Sequence, residues 1–199
     1  MKNIEAFGEQ IADRDIALVG NSEKLFNRVN PIDQHEIVIR INRAWAIPDE
    51  KRRYSGRKLD FLFDSTEMDL IDSALREAGK GVVWMTPKKR SEIPAQAVER
   101  LYFYPEAWWE ELMAKIGSRP STGCMGVDLI SRYIHKGHLT LYGFDFFQSH
   151  NWWQERSRIK KAYEKIVGKI PHGPHSGDAE KRYIHSVLPS DRLTVVLPD

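Results

Sequence analysis

Residues 16–25 read IALVGNSEKL. Four apolar residues run into Gly20, the polar pair Asn21-Ser22 follows, and a stretch of helical character comes next. A nucleotide-binding α/β domain often opens this way. Neither G-x-G-x-x-G nor G-x-x-x-x-G-K-[ST] continues it, so the glycine-rich cradle of a dinucleotide or triphosphate is missing. Gly20 permits a positive φ or a close backbone approach. Asn21 and Ser22 carry donors and acceptors, and the N-terminus of the expected helix favours an anion. Taken alone, a plain strand-to-helix cap explains the stretch about as well.

Outward from this point, short apolar runs alternate with helical patterns. HEIVIRIN (35–42), KLDFLFDS (58–65), GVVWMT (81–86), RLYFYP (100–105), HLTLYGFD (138–145) and RLTVVLP (192–198) read as strands. Residues 3–12, 67–79, 106–117, 119–137, 152–168 and 177–189 read as helices, with Gly79 and Gly117 as stops. In the fourth of these segments Met125, Leu129, Ile130 and Ile134 share a helical face. Alternation of this kind predicts an α/β fold with a mainly parallel sheet flanked by helices. Ligands in such sheets sit beyond the carboxyl ends of the strands. The turns at 20–22, 42–45, 64–66, 86–90 and 143–150 are therefore where a site is expected.

The chain of 199 residues fits one domain, taken as 1–199. It is 41% hydrophobic and 11% aromatic, which excludes global disorder. Thirty Lys and Arg against 28 Asp and Glu leave a net charge of +2, so no dedicated nucleic-acid surface is expected. The basic clusters at 51–53, 88–90 and 156–161 read as solvated faces, with contact to an anionic acceptor or membrane surface as the sharper alternative. Cys124 is the single cysteine, so neither an internal disulfide nor a cysteine-based zinc site can form. The N-terminal MKNIEAFGEQIADRD is not a signal peptide, and no apolar run is long enough to span a membrane. These features predict a cytosolic protein.

Three further stretches carry chemistry. VIRIN places Arg40 and Asn42 at the end of a strand, where they either line a cleft or form an Asn turn. RPSTG (119–123) offers two hydroxyls, Ser121 and Thr122, and then Gly123, at a helix start whose free N–H groups face outward. Late histidines cluster at His150, His172, His175 and His185, and His175 precedes Glu180 by five positions. No metal-ligand spacing such as H-E-x-x-H appears, so histidines converging with Asn, Ser and Thr would point to acid–base work without metal.

The order of these motifs resembles the family 29 glycosyltransferases, the animal-type sialyltransferases. ALVGNS followed by IDQHEIVIRIN is similar to their large sialyl motif, with Ile32, Asp33, His35, Val38, Arg40 and Asn42 in place. RPSTGCMGVDLI with LTLYGFD is similar to the small motif, SHNWW (149–153) to the third, and HSGDAE to the very short one. The resemblance spans residues 17 to 180. The disulfide joining the long motifs of the animal enzymes has no counterpart, since Ala17 precedes LVGNS and only Cys124 is present. The likeness is to a compact bacterial or phage-type member.

The resemblance implies a Rossmann-like variant of the GT-A class and an inverting transfer of an acidic 2-keto sugar from a CMP-sugar donor, without cofactor or metal. Sialic acid and Kdo are equal candidates for that sugar. It implies His175 as general base and His150 as hydrogen-bond donor to the departing phosphate. Asn21, Ser22, Asn42, Ser121, Thr122 and Gly123 would bind the donor, Gly143 and Trp152 would shape the cytidine pocket, and Glu180 and Arg40 would support. The acceptor would be a glycan, lipopolysaccharide or capsule hydroxyl at the inner membrane face, reached by peripheral contact. A nucleotide-binding module without transfer activity is the alternative, and it would need Asn21 and Asn42 but not His175. A hydrolase of non-sugar nucleotides using the late histidines is a third.

Overall fold

The computed structural model describes residues 2–65, 71–153 and 175–196. Seven strands form one sheet: β1 (Asp15–Val19), β2 (Ile37–Ile41), β3 (Phe61–Asp64), β4 (Gly81–Trp84), β5 (Leu101–Phe103), β6 (His138–Tyr142) and β7 (Leu193–Val196). All neighbours are parallel and the order is β5-β4-β3-β2-β1-β6-β7. The helices are α1 (Ile4–Ile11), α2 (Asp49–Ser55), α3 (Ile71–Glu77), α4 (Ala95–Val98), α5 (Glu106–Ile116), α6 (Thr122–Tyr133) and α7 (Gly177–Val187). This is the Rossmann-like α/β architecture that the alternating pattern predicts. The helix expected over 152–168 lies, from residue 154 onward, outside the described residues, as does His172. No helix among the described residues is long and apolar enough to cross a membrane.

The period-two alternation of the strands sorts their side chains between two buried faces. Ile39, Ile41, Phe61 and Phe63 face a core shared with α1, α5, α6 and α7. Phe7 of α1 meets Phe61 edge-on, with ring centroids 5.0 Å apart. Leu62, Val82 and Trp84 face the other side and pack on α3 and α4. Helix α6 lies close on the sheet because Gly126 has no side chain: a Cβ there would approach the Phe63 ring to 2.9 Å. Met125, Leu129, Ile130 and Ile134, which share a helical face in the sequence, are all buried.

Two local expectations change. No α-helix follows β1; Glu23–Phe26 form a single four-residue 3₁₀ turn capped by Ser22, and a second 3₁₀ turn at Ile32–Gln34 completes the crossover to β2. The segment between Ser22 and Pro31 is too short for a covering helix, and Pro31 interrupts the backbone donors. The anion-attracting helix start expected after Asn21-Ser22 is therefore absent. Residues 95–98, assigned to no element from the sequence, form the short helix α4.

The chain lays β2 to β5 on one side of β1, then crosses to place β6 and β7 on the other. The topological switch point lies at the carboxyl ends of β1 and β6, the expected position of a ligand crevice in an open parallel sheet.

Candidate active site

Gly20 and Gly143 meet back to back at the switch point. Gly20 N–H donates to the Tyr142 carbonyl at 2.7 Å. A Cβ on Gly20 would stand 2.7 Å from the Gly143 carbonyl oxygen, and Gly143 itself has φ +67°. Both glycines serve the close approach of two backbone turns. Above them opens a cleft of about 440 Å³, within the ~300–1,000 Å³ usual for small-ligand sites.

Asn21 lines this cleft with its amide orientation determined from both ends. Its Nδ2 donates to the Ile41 carbonyl at 3.1 Å, and its Oδ1 accepts from Trp152 Nε1–H at 3.3 Å. One Nδ2–H remains for a ligand. Trp152 itself is not among the cleft-lining side chains; Trp153 is. Trp152 instead meets Phe26 edge-on at 6.3 Å and lies under Lys51 Nζ at 5.9 Å.

Asn42 occupies the left-handed region, φ 51°, which Asn tolerates best after Gly. Its Oδ1 accepts from Ser65 N–H at 3.1 Å, joining the ends of β2 and β3. Ser22 Oγ is hydrogen-bonded to Asp145 Oδ2 at 3.1 Å and Ser149 Oγ at 2.7 Å, so it braces the rim.

The start of α6 forms a second wall. Ser121 Oγ accepts from Cys124 N–H at 3.1 Å and donates to Glu180 Oε2 at 2.6 Å, while Ser121 N–H donates to Glu180 Oε1 at 2.8 Å. Its hydroxyl is thus engaged inside the protein. Thr122 Oγ1 donates to Ser65 Oγ at 2.8 Å. The first i to i−4 bond of α6 comes from Met125, so the N–H groups of Thr122 and Gly123 precede the helical ladder and face the cleft region. Gly123 has the Phe144 ring where a Cβ would go, at 2.9 Å.

His175 stands opposite, just before α7. Its Nδ1 lies 2.7 Å from the Arg119 carbonyl. A carbonyl only accepts, so the neutral ring is protonated at Nδ1 and carries its lone pair on Nε2. Burial holds this imidazole below the ordinary histidine range, the Arg119 carbonyl opposes that, and the Arg119 charge adds to it. Glu180, 3% exposed, lies with Oε1 3.9 Å from His175 Nδ1. Burial pushes its carboxyl up to about 7 against the pull of the two Ser121 hydrogen bonds.

Of the residues picked from sequence, Asn21, Ser22, Asn42, Ser121, Thr122, Gly123, Gly143, His175 and Glu180 therefore line one cleft. His150 does not. It is buried, and its carbonyl accepts from Glu23 N–H at 2.8 Å. Arg40, expected at the cleft, lies on the other side of the sheet. Strand alternation turns it away from Ile41, and its guanidinium donates to the carbonyls of Lys58 (2.8 Å) and Ser55 (2.7 Å). It ties the end of α2 and the loop before β3 to β2.

Several lining residues escaped the sequence reading, among them Ser65, Thr86, Asp145, Phe147 and Trp153. Ser65, Thr86 and Asp145 sit in strand-end turns, which was their only signal. Both cleft carboxylates have internal partners: Glu180 has Ser121, and Asp145 has Ser22 and Ser149 N–H. Arg119 is the only Arg or Lys among the described lining residues, and its guanidinium meets no carboxylate among them. No three His, Cys, Asp or Glu side chains gather among the described residues as a metal site would need.

With this geometry the chain can be set against known proteins. A mammalian sialyltransferase solved with Gal-β-1-3GalNAc-ortho-nitrophenol superposes with a TM-score of 0.58 at 20% identity, over 94% of this chain and 71% of that one. A sialyltransferase from Campylobacter jejuni, solved with cytidine-5'-monophosphate, gives 0.57 at 12% identity, over 94% and 82%. The fold is that of sialyltransferases. A monofunctional α-2,3-sialyltransferase from the same organism gives 0.56 at 16% identity, over 94% and 76%. No family model matches the sequence, and no curated protein matches it.

Proposed function

We propose that this protein is a CMP-sugar-dependent glycosyltransferase that moves an acidic 2-keto sugar, sialic acid or Kdo, to a hydroxyl of a glycan. The observation that carries the reading is the state of His175. Its Nδ1–H is held by the Arg119 carbonyl, so Nε2 is left as a base within the cleft that holds Asn21, Asn42 and the start of α6. The shared fold supports it, since one of the similar structures holds cytidine-5'-monophosphate. The motif order points the same way.

In this reading the acceptor hydroxyl attacks the anomeric carbon while His175 Nε2 takes its proton. The bond from that carbon to the phosphate oxygen breaks, and CMP departs with the electron pair. One displacement inverts the centre. Negative charge gathers on the leaving phosphate, so donors aimed there stabilise the transition state more than the ground state. The remaining Nδ2–H of Asn21 and the N–H groups of Thr122 and Gly123 are the donors in reach of the cleft, and Arg119 supplies a countercharge to the anionic donor. His150 sits behind the cleft lining and acts, in this scheme, through the loop it anchors at Glu23.

No metal is needed in this scheme, and transfer is expected to persist in EDTA. Loss of activity restored by Mg²⁺ or Mn²⁺ would contradict it. The deciding experiment is a transfer assay with CMP-sialic acid and CMP-Kdo against bacterial glycan acceptors, read by mass spectrometry. A product heavier than the acceptor by one sugar supports the reading. CMP binding by calorimetry without any transfer would leave the nucleotide-binding module instead.

A further inference from the structure

The turn after β6 holds two successive aromatic residues in left-handed backbone, Phe146 at φ 53° and Phe147 at φ 66°. Bulky L-residues avoid this region because Cβ crowds the adjacent carbonyl. Such a conformation persists only where the surroundings determine it. Here they do. The Asp145 carboxylate accepts from Ser149 N–H at 2.7 Å and from Ser22 Oγ at 3.1 Å, while its carbonyl accepts from Gln148 N–H at 3.1 Å. On the far side, the Phe146 carbonyl rests on Gly177 at the start of α7, where a Cβ would come within 2.4 Å. The product of this turn is an offset parallel stack: the Phe147 ring and the His175 imidazole have centroids 5.6 Å apart and planes 2° from parallel.

We propose that Phe147 is a positioning residue for the base: the strained turn sets its ring in an offset parallel stack beside the imidazole, fixes the ring plane with Nδ1 on the Arg119 carbonyl, and screens part of one imidazole face from water. The inference rests on His175 being the base. Screening disfavours the charged imidazolium, in line with the downward direction that burial gives His175. The negative face of the Phe147 ring pulls the other way, toward the cation. The charged groups that line the cleft with His175 among the described residues are Arg119 from the loop before α6, Glu180 from α7 and Asp145 from the strained turn. Arg119 disfavours the imidazolium. The carboxylates would favour it, but Glu180 is held toward its neutral form and Asp145 is engaged by two donors.

The test is an NMR titration of His175, assigned by comparison with His175→Gln, in the wild type, Phe147→Ala, Phe147→Tyr and Gly177→Ala. The wild type should titrate below the ordinary value of ~6.5 and show the Nδ1–H tautomer. Phe147→Ala should raise the midpoint toward ~6.5 and mix the tautomers, while Phe147→Tyr keeps both. Gly177→Ala displaces the Phe146 carbonyl without removing either ring and should shift the midpoint in the same direction. The acid limb of kcat/KM should move with the NMR midpoint. An unchanged midpoint and tautomer in Phe147→Ala, or a fall in the midpoint, overturns the proposal. The NMR midpoint and tautomer need no turnover, so they are separate from the loss of transfer in His175 variants that tests the base itself.

Discussion

The Glu180 carboxylate takes two hydrogen bonds from one residue, the amide of Ser121 at 2.8 Å and its hydroxyl at 2.6 Å. Glu180 lies one turn into the helix that follows His175, and Ser121 caps the helix whose free N–H groups face the cleft. The pair thereby joins the His175 side and the α6 side of the cleft into one unit.

Glu180 predicts a pH dependence of stability. Its folded carboxyl titrates at about 7 against an ordinary 4.5, so the fold favours the neutral form. That contribution is complete below 4.5 and is lost as pH rises through about 7. It amounts to about 3 kcal/mol. Urea unfolding at both ends of this window should show the loss in the wild type but not in Glu180→Gln. Equal pH dependence in the two proteins contradicts the assignment.

Asn21 predicts a graded effect on CMP affinity. Asn21→Ala removes the remaining Nδ2–H, which in the proposed reading donates to a charged phosphate, and should weaken binding by roughly 10–100-fold. Trp152→Phe keeps the ring and removes only the N–H that orients Asn21, so calorimetry should read a smaller, several-fold loss. An effect of Trp152→Phe equal to that of Asn21→Ala would place Trp152 against the ligand instead.

Asp128 predicts a large stability loss remote from the chemistry. It is 1% exposed and accepts from Tyr104 Oη at 2.6 Å, from Arg132 Nε at 2.9 Å and from Tyr183 Oη. Those partners come from the segment after β5, from α6 and from α7. Asp128→Ala removes the acceptor of the Tyr183 phenol, leaves the Tyr104 phenol only the Trp108 carbonyl at 3.3 Å, and leaves Arg132 with Glu111 and the Trp108 ring. Destabilisation of about 3–5 kcal/mol is expected in denaturant titrations; a loss under 1 kcal/mol would contradict the role.

The glycines predict a contrast. Gly20→Ala forces a Cβ to 2.7 Å from a backbone oxygen and should cost about 1–3 kcal/mol. Gly79→Ala meets its nearest atom at an ordinary 3.5 Å and should be near neutral. Similar thermal shifts for both would remove the argument for close approach of the β1 and β6 turns.

The parallel sheet was legible because its strands are buried on both faces and read as apolar runs. Strand-end turns marked the cleft for the same reason: topology places ligands there whatever their identity. Arg40 misled because strand periodicity alone puts it next to Asn42 without telling which face is the cleft side. Trp152 and Trp153 are adjacent, and only the antiparallel bridge between Ser22 and Asn151 decides which ring enters the cleft. The missing helix after β1 was illegible because helical patterning over four residues cannot be told from a 3₁₀ turn. Phe147 carried only the signal of its strand-end turn, since its left-handed backbone is imposed by Asp145 and Gly177 from outside its own sequence.

The central claim is that His175 acts as base in transfer from a CMP-sugar. Single-turnover transfer at saturating CMP-sugar, comparing the wild type with His175→Ala, tests it most directly. The predicted result is sugar transfer by the wild type and a loss of roughly 10²–10⁴-fold in the variant, with CMP affinity unchanged. Transfer by His175→Ala at a near-normal rate would contradict it.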